Sequence, residues 1–563
     1  NITNFLPKIR FLKEPSLFFL KTNIFTQKDM QKNFIPFKDT QRFSELINAY
    51  LDRSEVLEPF YGRYPLLSHF EAQLKEKKAS YPNAHRKVLV EVLQEQYKTL
   101  FPSAAIQKNI KLLENETTFT ITTGHQLSLM TGPLYFIYKI ISTLNLCKQL
   151  KKKYPKADFI PIYWMASEDH DFEEISSFRF NDKGIRWPGE AAGAVGEMTL
   201  EELLPALDVF ETHLDHSDHA KQLKALIAKS YRSAHNLSDA TLKLVHELFA
   251  EQGLIILEPQ KRALKRLFMP YIKKELLEST SFSSVSEQTE RLINAFETHY
   301  TPQVNPRTIN LFYLTPQGRH RIEKKGAHFH LHGSDQIFST TALLSQLEEQ
   351  PELFSPNVIL RPLYQECILP NLCYIGGGGE LAYWFQLKTT FQEFEIPFPM
   401  LLLRNSALLY SKKIGKKIKN LNLTTADLFL TRNALLNKKI RQISNIDLDL
   451  TDLKEQLKKQ FDQLSELVTQ TDASFKGAVD AQQAKQIKGL KNLEKRLLKA
   501  QKRVLKDEVQ RLVLLHEKLF PNDHLQERTL NFTSFYLEIG PDFIAHLTDA
   551  LDPLNPEFVL LEY

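Results

Sequence analysis

Cysteine is scarce in this chain of 563 residues, and the spacing of its cysteines excludes the usual cysteine-based sites. Cys147, Cys367 and Cys373 are all there are. They form no CxxC pair and stand in no histidine–cysteine cluster, so the sequence predicts no zinc site. So few cysteines in so long a chain suit a reducing compartment, and we predict a cytoplasmic location.

Long apolar runs and a strong net charge are also absent. No stretch of 18 or more apolar residues occurs, which predicts that nothing spans a membrane. The formal net charge of +5 is small for this length, so it does not indicate a nucleic-acid partner. The composition is that of a soluble globular protein, and the length predicts about two to four domains.

The glycine motifs that commonly bind nucleotides are present only in part. Gly376, Gly377, Gly378 and Gly379 follow an apolar run and lead through Glu380 into a helical pattern. The loop lacks the GK[ST] ending of a P-loop and the GxGxxG context of a dinucleotide site. We predict that its backbone approaches a phosphate or sugar closely. The alternative is a tight turn with glycine at the helix cap.

The strongest signal is a strand–loop–helix–strand pattern over residues 118–173. The β-branched run Thr118–Thr123 predicts a buried strand, and Thr131-Gly132-Pro133 predicts the start of a helix. A second apolar run, Phe159–Met165, predicts a neighbouring parallel strand, since such crossovers are nearly always right-handed. Ligands of open α/β sheets bind outside the carboxyl ends of the strands, so we predict the active site there.

Polar residues follow the first predicted strand at once. Gly124 permits a tight turn, and His125 and Gln126 stand beside the helix N-terminus at Gly132, where free N–H groups favour phosphate or carboxylate. We predict that His125 stabilises an anion; the alternative is a histidine that only hydrogen-bonds the loop. Lys139, further along the helix, is either an anion ligand or a surface lysine.

Four ionisable residues, Glu168, Asp169, His170 and Asp171, follow the second predicted strand. Such crowding suits general acid–base chemistry or the binding of an amine and hydroxyls. Asp169 and His170 are the predicted catalytic groups, and Glu168 and Asp171 the predicted binding groups. The alternative is an acidic helix N-terminus. A dinuclear metal site would need further ligands, so no metal is predicted.

Alternating strands and helices predict an α/β fold with a parallel sheet and helical insertions. Residues 1–29 are predicted to be a disordered or mis-assigned extension, and a translation start set too far upstream is the preferred explanation. Residues 30–117 are predicted to be mainly helical, and 118–407 to form the core, with a hairpin over 175–200. Further strands are predicted at Leu254–Leu257, Ile309–Leu314, Val358–Leu360, Leu372–Ile375 and Met400–Leu403.

Residues 408–520 are predicted to form an α-helical coiled-coil domain. Ser474–Gly477 is the predicted turn between two antiparallel helices, and the basic run around Glu494 is interpreted as a solvated helix face rather than a nucleic-acid arm. Because one hairpin does not bury two apolar stripes fully, we predict a homodimer. The stripes are Leu453, Leu457, Phe461, Leu464 and Val468, and Leu490, Leu493, Leu497, Ala500 and Val504.

Long ordered motifs resemble one family over nearly all of the chain from Met30. They are GHQ…TGPLYFIYK, PIYWMASEDHDFEE, ILRPLYQECILPNLCYIGGGGELAYW (359–384) and FPNDHLQERTLNF (520–532). The chain is similar to the bacillithiol biosynthesis cysteine-adding enzymes, the BshC family. The resemblance implies a Rossmann-type core related to nucleotidylyl transferases and class I synthetases, with a coiled coil used for dimerisation.

The same resemblance implies a ligase that joins L-cysteine to glucosaminyl-malate. Arg361, Gln365 and Asn371 would then hold a carboxylate. Residues 521–563 would return to the core, with Gln526 and Arg528 near a second, nucleotide-holding pocket. ATP or ADP is the expected nucleotide, although the chain has no KMSKS-like loop. The alternatives are a nucleotidylyl or aminoacyl-adenylate transferase acting on another amine, and a non-catalytic nucleotide-binding scaffold.

Overall fold

The computed structural model describes residues 30–189, 193–296, 300–468, 470, 472 and 474–563; the predicted extension 1–29 lies outside these residues. The strands are β1 (Gln31–Pro36), β2 (Thr118–His125), β3 (Asp158–Met165), β4 (Ser177–Phe180), β5 (Lys183–Arg186), β6 (Ile255–Leu257), β7 (Leu311–Thr315), β8 (Gly318–Lys325), β9 (His328–Leu331), β10 (Ile337–Ser339), β11 (Phe354–Pro356), β12 (Asn371–Gly376), β13 (Met400–Leu403), β14 (Ala407–Tyr410) and β15 (Glu557–Glu562).

Most helices are short and connect these strands. They are α1 (Glu45–Leu51), α2 (Phe70–Ser80), α3 (Asn83–Gln96), α4 (Ala104–Leu112), α5 (Tyr135–Lys153), α6 (Phe172–Ile175), α7 (Leu204–Thr212), α8 (Asp218–Ile227), α9 (Leu237–Phe249), α10 (Arg262–Glu278), α11 (Thr280–Phe296), α12 (Thr340–Glu349), α13 (Leu360–Ile368), α14 (Gly378–Trp384), α15 (Lys388–Glu393), α16 (Lys412–Asn420), α17 (Thr425–Leu428), α18 (Arg432–Ile443), α19 (Thr451–Val468), α20 (Ser474–Val504), α21 (Lys506–Leu519), α22 (Gln526–Thr529), α23 (Thr533–Ile539) and α24 (Phe543–Ala550). In the part of the chain so described, no helix is apolar over a length that would cross a membrane.

A five-stranded parallel sheet in the order β13-β12-β2-β3-β6 forms the centre of the fold. Strands β2 and β3 are buried almost throughout, as expected for parallel strands covered on both faces. Their register pairs His125 with Met165, so both strands end at the same edge. The predicted α/β class with a Rossmann-like parallel sheet is confirmed.

The helix between β2 and β3 begins later than the sequence suggests. Predicted to start at Gly132-Pro133, α5 begins at Tyr135, because the preceding residues form a tight turn. Met130, Thr131 and Gly132 all have positive φ, and a Cβ on Gly132 would lie 2.6 Å from that of Ser128. Glycine is therefore required by the turn itself.

Two further sheets were not predicted. Strands β1, β15 and β14 form a sheet that joins both ends of the described chain, so the expectation of a mainly helical segment from residue 30 missed its first strand. Strands β10, β9, β8, β7 and β11 form an antiparallel sheet, to which the predicted strand Ile309–Leu314 belongs. The predicted strand Val358–Leu360 is wrong, since Leu360 is the first residue of α13.

Helices α19 and α20 pack side by side as the predicted helical hairpin. The predicted turn Ser474–Gly477 is wrong, because these residues form the first turn of α20. Glu494 pairs with Lys454 at 2.6 Å and with Arg441 at 3.1 Å, which ties α20 to α19 and α18. Of the ten side chains in the two predicted stripes, Phe461 alone is buried within the described chain.

Candidate active site

A cavity of about 520 Å³ opens at the edge of the sheet where β2 and β3 end. One wall is formed by Gly124 and His125 at the end of β2, by Gln126 directly after it, and by the end of β3 with most of the residues that follow it up to His170. The facing walls come from residues 305–319 of the antiparallel sheet and from helices α13 and α14. The predicted location at the carboxyl ends of the strands therefore coincides with a real cavity.

Lys139 and Glu380 form a buried ion pair at the base of the cavity. The ammonium lies 2.5 Å from Glu380 Oε1 and 2.5 Å from the Gly124 carbonyl oxygen, and Lys139 is only 1% exposed. Burial lowers the pKa of Lys139. Burial also works against the ionisation of Glu380, but Lys139 beside it lowers the pKa of that carboxyl overall. Lys139 is therefore neither a surface lysine nor a free anion ligand; it fixes the end of β2 to α14.

His125 is neutral near pH 7. Burial, together with the charge of Lys139, lowers its pKa to about 3. Nδ1 lies 2.8 Å from the Gln126 carbonyl oxygen, to which it donates, so Nε2 is left as an acceptor. The ring packs edge-on against Phe136. Because it carries no positive charge and directs its N–H to the backbone, His125 cannot stabilise an anion by charge; it can accept a hydrogen bond from a ligand.

Asp169 is an ionised carboxylate held by donors on three sides. Oδ1 accepts from the His170 backbone N–H at 2.7 Å and lies 3.5 Å from Arg319 Nη1, while Oδ2 accepts from the Gln126 amide. Burial opposes its ionisation, yet the His170 hydrogen bonds and the Arg319 charge hold its pKa well below the usual range. A carboxylate so stabilised is a good partner for an ammonium and a poor proton acceptor.

His170 lies at the cavity rim with its side chain about half exposed. Nδ1 is 3.2 Å from Asp169 Oδ1 and 3.3 Å from Arg319 Nη1. It donates to the carboxylate when protonated and accepts from the guanidinium when it is not.

The other two ionisable residues of this run have different environments. Glu168 lines the cavity but is committed to an ion pair, since its Oε1 lies 2.5 Å from Nζ of Lys265, a lysine with no exposed surface. Asp171 caps α6 by accepting from the Glu174 backbone N–H at 3.2 Å, and it does not line the cavity. The helix-cap alternative therefore describes Asp171 well.

Arg361 presents a guanidinium nitrogen to the cavity without a hydrogen-bond acceptor. Its Nη1 donates to Gln365 Oε1 at 3.0 Å, and the guanidinium lies against the rings of Trp164 and Tyr374. The Tyr383 hydroxyl is also within hydrogen-bonding reach of the guanidinium, but the buried Nη2 meets no acceptor among the described residues in good hydrogen-bond geometry. A buried donor of this kind suits an anionic ligand.

Gln365 and Asn371 lie behind Arg361 rather than in the cavity. Both amides donate to Glu366 Oε1, at 3.0 and 2.6 Å, and Glu366 Oε2 accepts from Lys77 at 3.1 Å. All four side chains are buried. Gln365 thus holds Arg361 in place, and neither amide is positioned to contact a ligand in the cavity.

The glycine loop also lies outside the cavity lining; of this motif only Glu380 reaches it. None of Gly376, Gly377 and Gly379 has positive φ. A Cβ on Gly376 would lie within 3.0 Å of three side chains, whereas one on Gly379 would meet nothing within 4 Å. The Gly377 N–H donates to Glu380 Oε2 at 3.1 Å. The geometry matches the helix-cap alternative.

The C-terminal motif fastens the chain to the core. Gln526 accepts from the Leu409 N–H and donates to its carbonyl, both at 2.9 Å, so its amide acts like an added strand residue beside β14. Glu527 has no exposed surface and pairs with Arg404 at 2.8 Å. Arg528 is exposed and does not line the cavity.

Several lining residues escaped the sequence analysis, namely Tyr135, Glu174, Asn305, Arg307, Phe312 and Arg319. Arg319 is the most engaged: it contacts Asp169, stacks 4.1 Å from the Phe312 ring centroid, and donates to Ser355 Oγ and the Pro356 carbonyl at 3.0 Å. Its sequence context, GRHRIEKK, is that of an exposed hairpin. Glu174 did carry a signal, because it ends the same acidic run. Among the described residues, no group of three or more histidine, cysteine or acidic side chains could hold a metal ion.

Comparison with known proteins gives matches along the whole described chain. Residues 30–405 match a family model described as the N-terminal Rossmann-like domain of bacillithiol biosynthesis BshC, and residues 407–563 match that of its C-terminal coiled-coil domain. A protein of Flavobacterium johnsoniae named "Putative cysteine ligase BshC" is 49% identical, covering 94% of this chain and 100% of its own. Proteins with the same name from Christiangramia forsetii and Flavobacterium psychrophilum are 47% and 46% identical over 95% of this chain, and 99% and 100% of their own. The resemblance seen in the sequence motifs is confirmed.

Proposed function

This chain belongs to the bacillithiol biosynthesis BshC family, and we propose that it is a ligase that joins L-cysteine to glucosaminyl-malate in the last step of bacillithiol synthesis. The cysteine carboxyl carbon and the glucosamine nitrogen form an amide. The observation that carries this proposal is the unpartnered Nη2 of Arg361, a residue that lines the same cavity as the ionised Asp169. A ligand with carboxylates at one end and an ammonium at the other matches both groups.

Arg361 binds a malate carboxylate in this proposal. Its Nη2 is a buried donor without a partner, a state that costs about 1–3 kcal/mol and that a bound carboxylate relieves. Gln365 and the two rings against the guanidinium fix its direction before the ligand arrives. Arg307, exposed at the same cavity, is placed to take the second carboxylate.

The positively charged amine end of the ligand is proposed to bind next to the negatively charged Asp169. Asp169 stays ionised at neutral pH, so it attracts the glucosaminyl ammonium. The neutral His125 accepts a hydrogen bond through Nε2, which suits a sugar hydroxyl or the amine. These assignments differ from the sequence predictions in two ways: His125 forms a hydrogen bond instead of stabilising an anion by charge, and Asp169 is a binding group instead of a catalytic one.

Amide formation from a free carboxylate needs an activated acyl group, and ATP is the proposed activator. When bound, ATP would supply the cysteine carboxylate with a leaving group. Arg307 and Arg319 line the cavity, and Arg319 Nε is buried without an acceptor among the described residues, so this wall suits phosphate oxygens. The backbone N–H of Gly377 is already used by Glu380 and is not available for a phosphate.

The test uses the purified full chain with L-cysteine and glucosaminyl-malate, with and without ATP and Mg²⁺. Thiols are trapped by alkylation and separated by chromatography with mass detection. We expect the amide, heavier than glucosaminyl-malate by one cysteine less one water, only in the ATP arm. Arg361→Met should lower affinity for glucosaminyl-malate in calorimetric titration, whereas Arg266→Met, which does not line the cavity, should not.

A cellular experiment addresses the proposed step. Deleting the gene should abolish the low-molecular-weight thiol and cause glucosaminyl-malate to accumulate. If purified chain with ATP forms no amide from these substrates but does form one from cysteine and another amine, the substrate assignment is overturned and a different aminoacyl transfer takes its place.

A further inference from the structure

The cavity is lined by four carboxylates, and they differ in how they are held. Asp169 is bound by Gln126, His170 and Arg319, and Glu380 is bound by Lys139 and the Gly377 N–H. Glu168 is paired with Lys265. The fourth, Glu174, has no side-chain hydrogen bond or ion pair with any described residue. It is therefore the cavity carboxylate that is free to exchange a proton.

The short helix α6 determines the position of Glu174. It lies on α6, a single turn whose two apolar side chains, Phe172 and Ile175, are buried. Asp171 caps this turn through the Glu174 backbone N–H. The adjacent Glu173 points elsewhere and forms a bidentate pair with Arg186, at 2.8 and 2.7 Å, on the surface. Two neighbouring glutamates thus have separate environments, and one of them lines the cavity.

The surroundings of Glu174 favour its protonated form. Glu174 is exposed at the cavity, yet desolvation by the surrounding protein raises its pKa, and so do the negative charges of Asp169, Asp171 and Glu380, which Lys139 only partly offsets. Tyr135 also interacts with it from α5. A carboxyl with a raised pKa is a better proton acceptor near neutral pH than an ordinary glutamate.

A second observation points to a cationic ligand at the same place. The side-chain oxygen of Gln126 is buried and has no donor among the described residues, while its amide nitrogen is committed to Asp169. An ammonium donates three hydrogen bonds, so one such group can satisfy Gln126 Oε1 and contact the adjacent carboxylates.

On the basis of the proposed function, we propose that Glu174 is the general base that takes a proton from the substrate ammonium. Asp169 and Gln126 hold the ammonium; the Glu174 carboxylate removes one proton, which gives a neutral amine and a glutamic acid side chain. Charge and protons balance in this step, because one ammonium and one carboxylate become one amine and one carboxylic acid. The nitrogen lone pair released in this way attacks the activated carbonyl carbon of cysteine. The C–N bond forms as the bond from that carbon to the phosphate or nucleotide leaving group derived from ATP breaks, and the second nitrogen proton passes to the leaving group or to water.

The experiment compares Glu174→Gln with Glu173→Gln in the purified full chain supplied with L-cysteine, glucosaminyl-malate and ATP. We expect Glu174→Gln to lower kcat by about 10²–10⁴-fold at neutral pH, the usual contribution of a general base, and Glu173→Gln to stay within about twofold of the parent. The parent's kcat should fall at acidic pH as Glu174 becomes protonated. Glu174→Asp should keep this acidic limb at reduced rate, and Glu174→Gln should lose it.

A binding measurement needs no turnover. Calorimetry should show that the parent prefers glucosaminyl-malate over its N-acetylated form, which has no ammonium, and that Asp169→Asn reduces this preference while Glu174→Gln changes it little. Circular dichroism and urea unfolding of each variant establish that it is folded.

The outcomes separate the two proposals. If the parent forms no amide, the proposed function fails whatever the variants do. If the parent is active and Glu174→Gln has normal kcat or an unchanged acidic limb, Glu174 is not the base. A folded Glu174→Gln that loses activity only through weaker binding of glucosaminyl-malate also overturns the assignment, since that result would make Glu174 a binding group.

Discussion

The central sheet and the helical hairpin differ in how far their side chains are paired or buried within the described chain. Around the cavity, Lys139 pairs with Glu380, Lys265 with Glu168, and Arg404 with Glu527, each in a largely buried environment. In the hairpin α19–α20, by contrast, apolar side chains of the two stripes remain exposed, with Leu464 at 39% and Leu493 at 54%. The charged groups of the core are paired with one another, whereas the hairpin has an apolar surface that no other described part of the chain buries.

The difference sets where substitutions should act. A buried charge that loses its partner destabilises strongly, because the remaining charge cannot be hydrated. A surface pair loses little, since water replaces the partner. Substitutions in the core should therefore change the free energy of unfolding, and substitutions on the exposed hairpin stripe should change association instead.

Lys139→Met should produce the largest effect. Removing the ammonium leaves the Gly124 carbonyl oxygen without this donor and the Glu380 carboxylate without its cationic partner, with only the neutral donors Gly377 N–H and Tyr374 hydroxyl remaining. This should cost about 3–5 kcal/mol in the free energy of unfolding. Urea denaturation followed by circular dichroism measures this change. Adding Glu380→Gln should recover part of the loss, because no buried charge then remains.

The matched control for this prediction is Lys75→Met. Lys75 pairs with Glu71 at a similar distance, 2.8 Å, but both side chains are largely exposed. Its urea midpoint should equal that of the parent. Equal midpoints for Lys139→Met and Lys75→Met would show that the cavity pair does not support the core.

The second-largest loss of stability should come from Gly376→Ala. Its Cβ would lie within 3.0 Å of Tyr374, Glu380 and Leu381, and Glu380 cannot move freely while Lys139 holds it, so we expect a cost of about 1–3 kcal/mol. Gly379→Ala, in the same loop, has open space and replaces glycine in the first turn of α14, so it should be neutral or slightly stabilising. If both variants unfold at the same urea concentration, crowding at Gly376 is not the reason for that glycine.

The sequence predicts the parallel core well because each step of the pattern is local. The β-branched run of β2, the turn at Gly132 and the helical spacing of α5 lie within one stretch of chain, and together they locate the cavity. The pairing of β1 with β15 could not be predicted in this way. It joins Gln31 to Glu562, and no local pattern indicates that partner.

The roles of single polar residues were harder to predict for a related reason. Gln365, Asn371 and Gln526 are residue types that bind ligands, but here their amides satisfy buried groups of the protein itself. Whether an amide faces a cavity or a backbone depends on tertiary packing. Arg319 shows the converse: its hairpin context suggests solvent, yet the antiparallel sheet brings it against Asp169.

Asp169→Asn should have a smaller effect that depends on pH. The folded-state pKa of Asp169 is depressed, so its ionised form stabilises the fold above the ordinary aspartate pKa of about 4, and this stabilisation is lost as the pH falls below that value. We expect the variant to be about 1–2 kcal/mol less stable than the parent at pH 7 and to approach it as the medium is acidified. Urea titrations from pH 7 to pH 3 measure the difference. A difference that grows on acidification would contradict the assigned direction.

The double variant Leu464→Glu/Leu493→Glu, in the hairpin, should have the smallest effect on the stability of the core. We propose that residues of about 440–520 form a homodimer, because the two stripes stay partly exposed and a second copy of the hairpin offers a matching apolar surface. Light scattering at micromolar concentration should give twice the chain mass for the parent and one chain mass for the double variant, with the same core unfolding once the dimer is lost. Leu277→Glu is the matched control: Leu277 is 41% exposed on α10, outside the proposed dimer segment, and should leave the dimer intact. A monomeric parent would mean that the exposed stripe is not a dimer interface, and a dimeric double variant would place the interface elsewhere on the chain.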